Sequence, residues 1–307
     1  MDVRDCFFDQ VYNIAKKNKN VLFLTSDHTA FSLQKFEKNL PNQYFNLGIS
    51  EQNIMGVAAG LAMSGKIVFV YGIAPFVSLR CLEQIAIDIC SMNNNVNIIS
   101  MGSGLTYSSD GPTHHGTMET SILATIPNMK IYNVSDVTTA TCLALNSIKS
   151  KGPKFFRIEK GQLKTLYTNS QSILSKGIGY NKFSKKNLII TTGITTQIAY
   201  DLKNMIKSKK FSILDIIRFK PLNKREVLKI IKQHSNIISL EENVPHGGIS
   251  SLISGIIAEY SLKKKFIKKT LPDYFLFNSG PREWMQKRYG LDKKIILKDI
   301  NKIFENE

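Results

Sequence analysis

The chain has 307 residues, of which 43% are hydrophobic and 21% charged, and its formal net charge is +17. A chain of this size and composition forms about two domains around a substantial core. A membrane span is excluded because the longest apolar run, 67–77, is interrupted by Gly72 and Pro75 and is too short. The charged N-terminal residues lack the apolar core of a signal peptide. The four cysteines show neither CxxC nor metal-ligand spacing, so we expect no metal site and a reducing, cytoplasmic location.

The excess of positive charge suggests a nucleic-acid partner as one hypothesis. Most basic residues, however, are lysines scattered through a sequence that is also rich in Ile and Asn. Two lysine clusters, 207–210 and 263–269, fall where helix ends or loops are expected. A solvated surface explains this pattern better than a nucleic-acid footprint. We therefore predict no nucleic-acid and no membrane partner, and attraction of phosphorylated substrates is an intermediate alternative.

The first half of the chain alternates between strand and helix patterns. Short buried strands are predicted at 21–24, 67–71, 96–100, 130–134 and 154–158, and helices at 4–17, 50–64, 77–92 and 136–149. Strands that alternate with helices indicate a parallel, doubly wound sheet.

The alternation stops at 161–186, a polar stretch typical of a linker with an irregular edge, and resumes at 187. Further strands are predicted at 187–193, 211–216 and 237–240, and helices at 195–208, 223–234 and 248–261. The predicted fold class is therefore α/β, with two doubly wound domains. We predict a first domain over 1–165, a linker over 166–186 and a smaller second domain over 187–307.

A strand that runs into a tight turn precedes a carboxylate on the first turn of a predicted helix, Glu51. Ser50 is a good helix N-cap, and apolar residues recur at helical spacing over 54–62. Glu51 therefore lies at the carboxyl end of a strand, where open α/β sheets bind ligands. Gly56 and Gly60 lie one helical turn apart, so another backbone can approach this helix closely.

A long loop rich in glycine, serine and threonine, 102–116, follows the strand predicted at 96–100. Loops of this length inside compact domains are usually functional. Asp110 and His114 can converge through the Gly111-Pro112 turn, which would place an acceptor beside a titratable donor. A metal site is not expected, because the adjacent His114 and His115 point apart and no further ligand lies nearby in sequence.

With both segments in view, the chain resembles the C-terminal half of a transketolase over its full length, 1–307. The resemblance depends on GISEQN at 48–53, DGPTH at 110–114, IPNM at 126–129, GPKFFR at 152–157, TTGITT at 191–196 and EEN at 241–243. Their order and spacing together are highly specific. The resemblance implies a pyrimidine-binding domain, which holds the aminopyrimidine ring of thiamine diphosphate, followed by a transketolase C-terminal domain.

The resemblance also implies roles for individual residues toward the cofactor. Glu51 matches the family glutamate that hydrogen-bonds the aminopyrimidine ring and so activates the cofactor. Phe76 matches an aromatic residue that packs on this ring. Ile73 and Leu79 stand where transketolases usually place two further aromatic residues, so the cofactor pocket is expected to be more aliphatic.

Substrate-binding roles follow from the same resemblance. Asp110 and His114 match residues that bind the donor sugar's hydroxyls, and His114 is a candidate for moving a proton or stabilising an alkoxide. Arg157 and Lys160 lie where related enzymes bind the substrate phosphate, a task that suits the planar guanidinium of Arg157. One departure is Gly102, where many transketolases carry a histidine. The second domain shows no evident catalytic residue, and its 241–248 loop is interpreted as a packing or subunit contact.

A complete transketolase also carries a Gly-Asp-Gly motif that binds Mg²⁺ and the cofactor diphosphate, and this sequence lacks it: its only Asp-Gly is Asp110-Gly111. We therefore predict the second subunit of a split transketolase, whose N-terminal partner subunit supplies the diphosphate and Mg²⁺ site in an α2β2 heterotetramer. Alternatives are a 1-deoxyxylulose-5-phosphate synthase-like enzyme and a 2-oxo acid dehydrogenase E1 β-like subunit. A non-catalytic scaffold or nucleic-acid-binding protein is a more distant alternative.

Overall fold

The computed structural model of the protein describes residues 2–168, 171–206 and 211–304. The lysine cluster at 207–210, and with it the predicted end of the helix over 195–208, lies outside the described residues. The predicted fold class is confirmed, because the described residues form two α/β units with mostly parallel sheets.

The strands are β1 (Val21–Thr25), β2 (Tyr44–Asn46), β3 (Ile67–Ile73), β4 (Val96–Met101), β5 (Lys130–Asn133), β6 (Lys154–Ile158), β7 (Ile178–Asn181), β8 (Asn187–Thr191), β9 (Ser212–Ile216), β10 (Arg218–Lys220), β11 (Asn236–Leu240) and β12 (Lys265–Lys269). The α-helices are α1 (Val3–Ala15), α2 (Gln34–Asn39), α3 (Glu51–Met63), α4 (Leu82–Gln84), α5 (Glu119–Ala124), α6 (Val137–Ser147), α7 (Gln171–Lys176), α8 (Ile194–Ile206), α9 (Lys224–Lys232), α10 (Ile249–Glu259), α11 (Arg282–Arg288) and α12 (Lys293–Phe304). A 3₁₀ turn at Phe31–Leu33 and a π-helix at Ile85–Ser91 complete the helical elements of the described residues.

The first sheet has seven strands in the order β10-β5-β6-β4-β3-β1-β2. All of its neighbours are parallel except β10, which pairs antiparallel with β5 and reaches this sheet from the second half of the chain. One face of the sheet packs against α1 through aromatic side chains. Phe7 lies 5.2 Å from Phe156 and Phe8 lies 4.8 Å from Tyr71, measured between ring centroids. Such a core of large rings holds the strand ends in fixed positions.

The second sheet has five strands in the order β12-β11-β8-β9-β7. Its inner strands are parallel, as expected for a sheet covered by helices, and their apolar residues are buried. Strand β7 lies within the segment that we predicted as a linker, 166–186, and pairs antiparallel with β9 at the sheet edge. That segment therefore contributes an edge strand as well as a connection.

The helix predicted over 77–92 differs from the structure, in which residues 74–81 form turns before α4 and the π-helix. Two side chains bond to carbonyl groups in these turns. The Ser78 hydroxyl donates to the Ala74 carbonyl at 2.5 Å, and the Cys81 thiol donates to the Phe76 carbonyl at 3.1 Å. Local side-chain bonds of this kind compete with a regular helix, and π-helical turns occur frequently at functional sites.

Within residues 2–168, 171–206 and 211–304, none of the helices combines the length and the apolar composition needed to cross a bilayer.

Candidate functional site

Three neighbouring strands of the first sheet, β1, β3 and β4, end at one edge, and the loop after each contributes to the candidate site. The loop after β1 carries His28, the loop after β3 carries Phe76, and the loop after β4 covers 102–116. Glu51 begins α3, which follows β2, the other neighbour of β1. In open parallel sheets, ligands bind at this carboxyl edge.

Glu51 has a buried carboxylate that is only half satisfied. Its side chain is 2% exposed, and Oε2 accepts a hydrogen bond from Arg80 Nη1 at 2.7 Å. Oε1 is buried and has no hydrogen-bond partner among the described residues. Leaving a buried acceptor unpaired is costly, so this oxygen marks a position suited to a donor on a ligand. Its place in the first turn of α3 also lets the helix dipole favour the negative charge.

The turn before Glu51 is fixed by Asn46, the last residue of β2. Asn46 Oδ1 accepts hydrogen bonds from the backbone N–H of Gly48 at 3.1 Å and of Asp27 at 3.0 Å. Gly48 has a φ of +72°, which glycine adopts without strain. Ser50 occupies the N-cap position, but its hydroxyl donates to the Leu47 carbonyl at 2.9 Å instead of capping the helix. The turns after β1 and before α3 are thus tied together.

Phe76 is half-buried and lies between the carboxylate and the long loop. The Arg80 guanidinium lies over its ring at 4.2 Å from the centroid, and the same guanidinium bonds Glu51. The His114 ring lies 5.0 Å from the Phe76 ring at an interplanar angle of 69°, an edge-to-face contact. Ile73, the last residue of β3, is half-buried at the same strand end. The structure therefore brings together Glu51, Phe76 and His114.

The long loop is closed at its base by Gly104 and Gly116, which exchange two backbone hydrogen bonds of 2.7 and 3.0 Å. Gly102 has a φ of +94°, and a Cβ added there would lie 2.4 Å from Tyr107 Cε2. The Tyr107 ring thus fills the space beside Gly102, so a side chain at position 102 has no room.

Asp110 and His114 occupy the outer part of this loop. Asp110 is exposed, whereas His114 is half-buried with its Nδ1 2.9 Å from the Thr113 hydroxyl. The two side chains form no direct hydrogen bond or ion pair within the part of the chain that the structure describes. The neighbouring His115 is buried, and burial lowers the pKa of its imidazole. The loop therefore presents His114 and Asp110 outward and His115 inward.

The two predicted phosphate ligands lie in different surroundings. Arg157 is 5% exposed, and its Nε donates a hydrogen bond to Glu119 Oε1 at 2.5 Å. Its Nη2 donates to the Gly116 carbonyl at 2.6 Å and, more weakly, to the Glu242 carbonyl at 3.4 Å. Lys160 is exposed. Arg157 thus anchors the end of the 102–116 loop to α5, and phosphate binding by Arg157 and Lys160 stays a prediction.

The second unit contributes an arginine that sequence reasoning did not find. Arg282 Nη1 donates to Glu159 Oε2 and its Nη2 to Glu242 Oε2, both at 2.6 Å, and Nη2 also lies 3.4 Å from the Ser103 carbonyl. The Leu105 N–H donates to Glu242 Oε2 at 2.8 Å. The two carboxylates raise the pKa of the Arg282 guanidinium even though its burial acts in the opposite direction. This network fixes the start of the 102–116 loop.

Arg282 lies 123 residues from Glu159 and 40 from Glu242, so no local pattern in the sequence links them. Among the described residues, no group of three or more His, Cys, Asp or Glu side chains is arranged to hold a metal ion.

Comparison with known families agrees with this architecture. A family model described as the transketolase pyrimidine binding domain matches residues 1–165, and one described as the transketolase C-terminal domain matches residues 181–296. Members of this family are thiamine diphosphate-dependent transferases.

Relatives of full length are parts of split transketolases. An apulose-4-phosphate transketolase subunit of Phocaeicola vulgatus is 30% identical over 299 residues, which cover 96% of this chain and 95% of the relative. The putative transketolase C-terminal section of Methanocaldococcus jannaschii is 28% identical, with 99% and 97% covered. The 1-deoxy-D-xylulose-5-phosphate synthase of Dictyoglomus turgidum is 30% identical, but the match covers 89% of this chain and only 44% of the synthase.

Two solved structures share the fold. A split-gene transketolase, solved as an inactive β4 tetramer, gives a TM-score of 0.86 at 23% identity and 99% coverage of both chains. A Pichia stipitis transketolase in complex with sedoheptulose 7-phosphate gives 0.81 at 15% identity, covering 99% of this chain and 46% of the other. Because the pyrimidine-binding model alone matches more than half of the chain, this protein belongs to the transketolase family, and in extent it corresponds to the C-terminal subunit of a split transketolase.

Proposed function

We propose that this chain is the pyrimidine-binding subunit of a two-chain transketolase, which transfers a two-carbon ketol unit from a ketose phosphate donor to an aldose acceptor. The observation that carries the proposal is the buried Glu51 carboxylate at the start of α3, whose Oε1 has no partner among the described residues. Phe76 and His114 lie at the same edge of the sheet, and their rings are 5.0 Å apart. This edge therefore combines a buried acceptor, an aromatic wall and a titratable imidazole.

The residues present fit the aminopyrimidine end of thiamine diphosphate. When bound, this cofactor supplies the electron sink that cleavage of a carbon–carbon bond beside a carbonyl requires. Glu51 Oε1 is the acceptor for the ring nitrogen, and Phe76 and Ile73 form the apolar walls of the cofactor site. Arg80 bonds the other carboxylate oxygen, Oε2, and so holds the carboxylate in one orientation. Hydrogen bonds that involve a charged group are stronger than neutral ones, so the bond from Arg80 keeps the Glu51 carboxylate from rotating away from the cofactor ring.

The substrate lies, in this proposal, between the cofactor site and the 102–116 loop. Asp110 accepts from hydroxyls of the ketose, and His114 donates to a substrate oxygen and takes or returns a proton there. Arg157 and Lys160 serve the phosphate, with the exposed Lys160 as the more accessible of the two. Arg157 is already bonded by Glu119, so its phosphate contact competes with an ion pair that anchors the loop.

A partner subunit completes the site. The outer face of α3 supports this part of the proposal, because Val57 and Met63 are 36% and 63% exposed and a Cβ added at Gly56 or Gly60 would meet nothing within 4 Å. Ile49, beside the catalytic turn, is 76% exposed. Exposed apolar side chains around small residues are typical of a surface that another chain covers. We assign the cofactor diphosphate and Mg²⁺ to this N-terminal subunit, in an α2β2 assembly within a reducing cytoplasm.

The donor sugar is best tested directly. The relative from Phocaeicola vulgatus is named for apulose 4-phosphate, which makes this ketose a candidate donor beside xylulose 5-phosphate. This chain is co-expressed with a candidate N-terminal subunit, and transfer to aldose acceptors is assayed with thiamine diphosphate and Mg²⁺. We expect transfer from a ketose phosphate by the pair and none by either chain alone. A pair that uses pyruvate and rejects every ketose would contradict the proposal and favour the synthase-like alternative.

A further inference from the structure

His28 is a half-buried histidine that the function proposed above does not use. It lies three residues beyond β1, and β1 pairs with β3, so the loops that follow these strands are neighbours. The His28 ring centroid lies 6.5 Å from that of Phe76, and Phe76 in turn lies 5.0 Å from His114. Two imidazoles, from the loops after β1 and β4, therefore lie near the same phenylalanine.

The orientation of His28 is fixed by its neighbours. Its Nδ1 lies 3.1 Å from the hydroxyl of Ser26, which is fully buried, and its carbonyl accepts from the Thr25 hydroxyl at 3.0 Å. A Cβ added at Gly72 of β3 would lie 3.1 Å from Ser26 Oγ, so the glycine leaves room for this hydroxyl. The Nε2 atom, by contrast, forms no hydrogen bond to any described residue. One side of the ring is held and the other is available.

The loop that carries His28 is also coupled to the turn that carries Glu51. Asn46 bonds both turns: its Oδ1 accepts from the backbone N–H of Asp27 and of Gly48, and its Nδ2 donates to Asp27 Oδ1 at 3.1 Å. His28 and Glu51 are therefore positioned by one shared residue. A side chain held in this way is ordered before substrate arrives, as precise recognition requires.

We propose that His28 is a substrate-binding residue whose Nε2 forms a hydrogen bond with a hydroxyl group of the ketose. The proposal rests on the transketolase function stated above. When the Ser26 hydroxyl donates to Nδ1, the neutral ring carries its proton on Nε2 and is a donor there. When Nδ1–H donates to Ser26, Nε2 is an acceptor, and a sugar hydroxyl can pair with either form. Such a neutral ring suits a sugar hydroxyl better than a phosphate, whose hydrogen bonds with cationic side chains are stronger.

The electrostatic surroundings agree with a neutral ring. Burial lowers the pKa of His28, while a hydrogen bond to the backbone of Ser26 and the carboxylates of Glu51 and Asp27 act in the opposite direction. The nearby His114 also disfavours a charge on His28.

The test compares three variants of His28 in the assembled two-chain complex. A glutamine amide at this position reaches the place of Nε2, whereas an asparagine amide reaches only the place of Nδ1. We therefore expect H28A and H28N to raise the KM for the ketose donor about five- to tenfold, the effect of one lost hydrogen bond, and H28Q to stay within about twofold of the native value. Thiamine diphosphate affinity and the melting temperature should change little in all three. H246Q, which alters a histidine that is 77% exposed in the second unit, is the matched control.

A native KM for the ketose in both H28A and H28N, with a native complex that transfers ketol units, overturns the His28 contact and leaves the proposed function standing. An equal rise in KM for H28N and H28Q also overturns it, because the position of the hydrogen-bonding group would then not matter. A native complex that takes up no thiamine diphosphate and transfers nothing overturns both proposals.

Discussion

The carboxyl edges of the two sheets carry glutamates that are equally buried but differently bonded. Glu51, at the first sheet, and Glu241 and Glu242, at the second, are each 2% exposed. Glu241 accepts from the backbone N–H of Ile249 at 2.9 Å and of Ser250 at 2.8 Å, so both of its oxygens are occupied. Glu51 keeps one oxygen without a partner among the described residues.

The difference shows how one architecture serves two purposes. At the second sheet, the buried Glu241 carboxylate bonds backbone N–H groups at the start of α10 and so stabilises the fold. At the first sheet, the equally buried Glu51 carboxylate has one oxygen left for a further donor. Since nearly all buried polar atoms in native proteins are paired, a buried atom without a partner is a useful indication of where a ligand binds.

The substitution Glu51→Gln should have the largest effect, and that effect should fall on turnover. The amide keeps the shape of the carboxylate but loses its charge, so its hydrogen bond to the cofactor ring is weaker. We expect the kcat of the assembled complex to fall by about two to three orders of magnitude, with little change in melting temperature. Glu241→Gln is the matched control, and it should lower the melting temperature while leaving kcat near native. The reverse pattern for these two variants would contradict the comparison.

Arg282→Met should have the largest effect on stability. It leaves Glu159 and Glu242 buried without their cation, and removing one partner of a buried ion pair typically costs about 3 kcal/mol or more. Urea unfolding of this chain measures the loss. Arg288→Met, on the same helix but exposed, is the control and should change the unfolding free energy by less than about 0.5 kcal/mol.

The same variant has a pH signature. Burial alone would raise the pKa of Glu242, but Arg282, Gln286 and the Leu105 N–H hold it below its ordinary value. A lowered folded pKa contributes stability that is present above the unfolded pKa and is lost as the pH falls through the folded pKa. In Arg282→Met only Gln286 and the Leu105 N–H still oppose the effect of burial, so the pKa of Glu242 in the folded state rises. The stability deficit relative to the native chain should therefore shrink as the pH is lowered from about 7 to about 5. A deficit that stays constant over this range would contradict the role of Glu242.

Asp215, at the carboxyl end of β9, should give a smaller, pH-dependent effect. It is fully buried, and burial raises its pKa to about 7, although its Oδ2 accepts from the Tyr167 hydroxyl at 2.9 Å. The folded state then binds more protons than the unfolded state between about pH 4 and about pH 7, so stability falls as the pH rises through this window. Asp215→Asn removes the titration, and its stability relative to the native chain should improve by about 2 kcal/mol from pH 5 to pH 8. Parallel pH profiles of the two chains would rule out this titration.

Asp110→Asn should have the smallest effect, and on activity alone. Asp110 is exposed and forms no ion pair within the described residues, so the melting temperature should not change. If Asp110 binds a sugar hydroxyl, the KM for the ketose should rise about three- to tenfold. Asp88→Asn, which alters another exposed carboxylate, is the control. A fall in stability without a change in KM would place Asp110 with the structural carboxylates of the second sheet.

Much of the first unit could be predicted from the sequence because its signals are local. Buried strands alternate with amphipathic helices, and the turn before Glu51 and the loop that carries His114 follow strands directly in the chain. Residues that follow the strands of one parallel sheet lie at its carboxyl edge, so the strand pattern was enough to place Glu51 and His114 at the same edge.

Features that depend on distant pairing could not be predicted. Strand β10, at residues 218–220, joins the first sheet, and Arg282 bonds Glu159, which is 123 positions away in the sequence. Neither of these contacts produces a local pattern in the sequence. The contact of His28 with Phe76 could not be predicted either, because it depends on the pairing of β1 with β3. The turns at 74–81 depend on side-chain bonds from Ser78 and Cys81 that helical periodicity does not show.

The central claim is that this chain holds one half of a shared cofactor site. The most direct test is a calorimetric titration with thiamine diphosphate and Mg²⁺. The titration is made on this chain, on the N-terminal subunit and on their complex. This chain and the complex are each titrated twice, once with native Glu51 and once with the Glu51→Gln variant. We expect saturable binding by the complex, weak or absent binding by either chain alone, and weaker binding by the Glu51→Gln complex. Equally tight binding by the N-terminal subunit alone, unaffected by this chain or by Glu51→Gln, would contradict the claim.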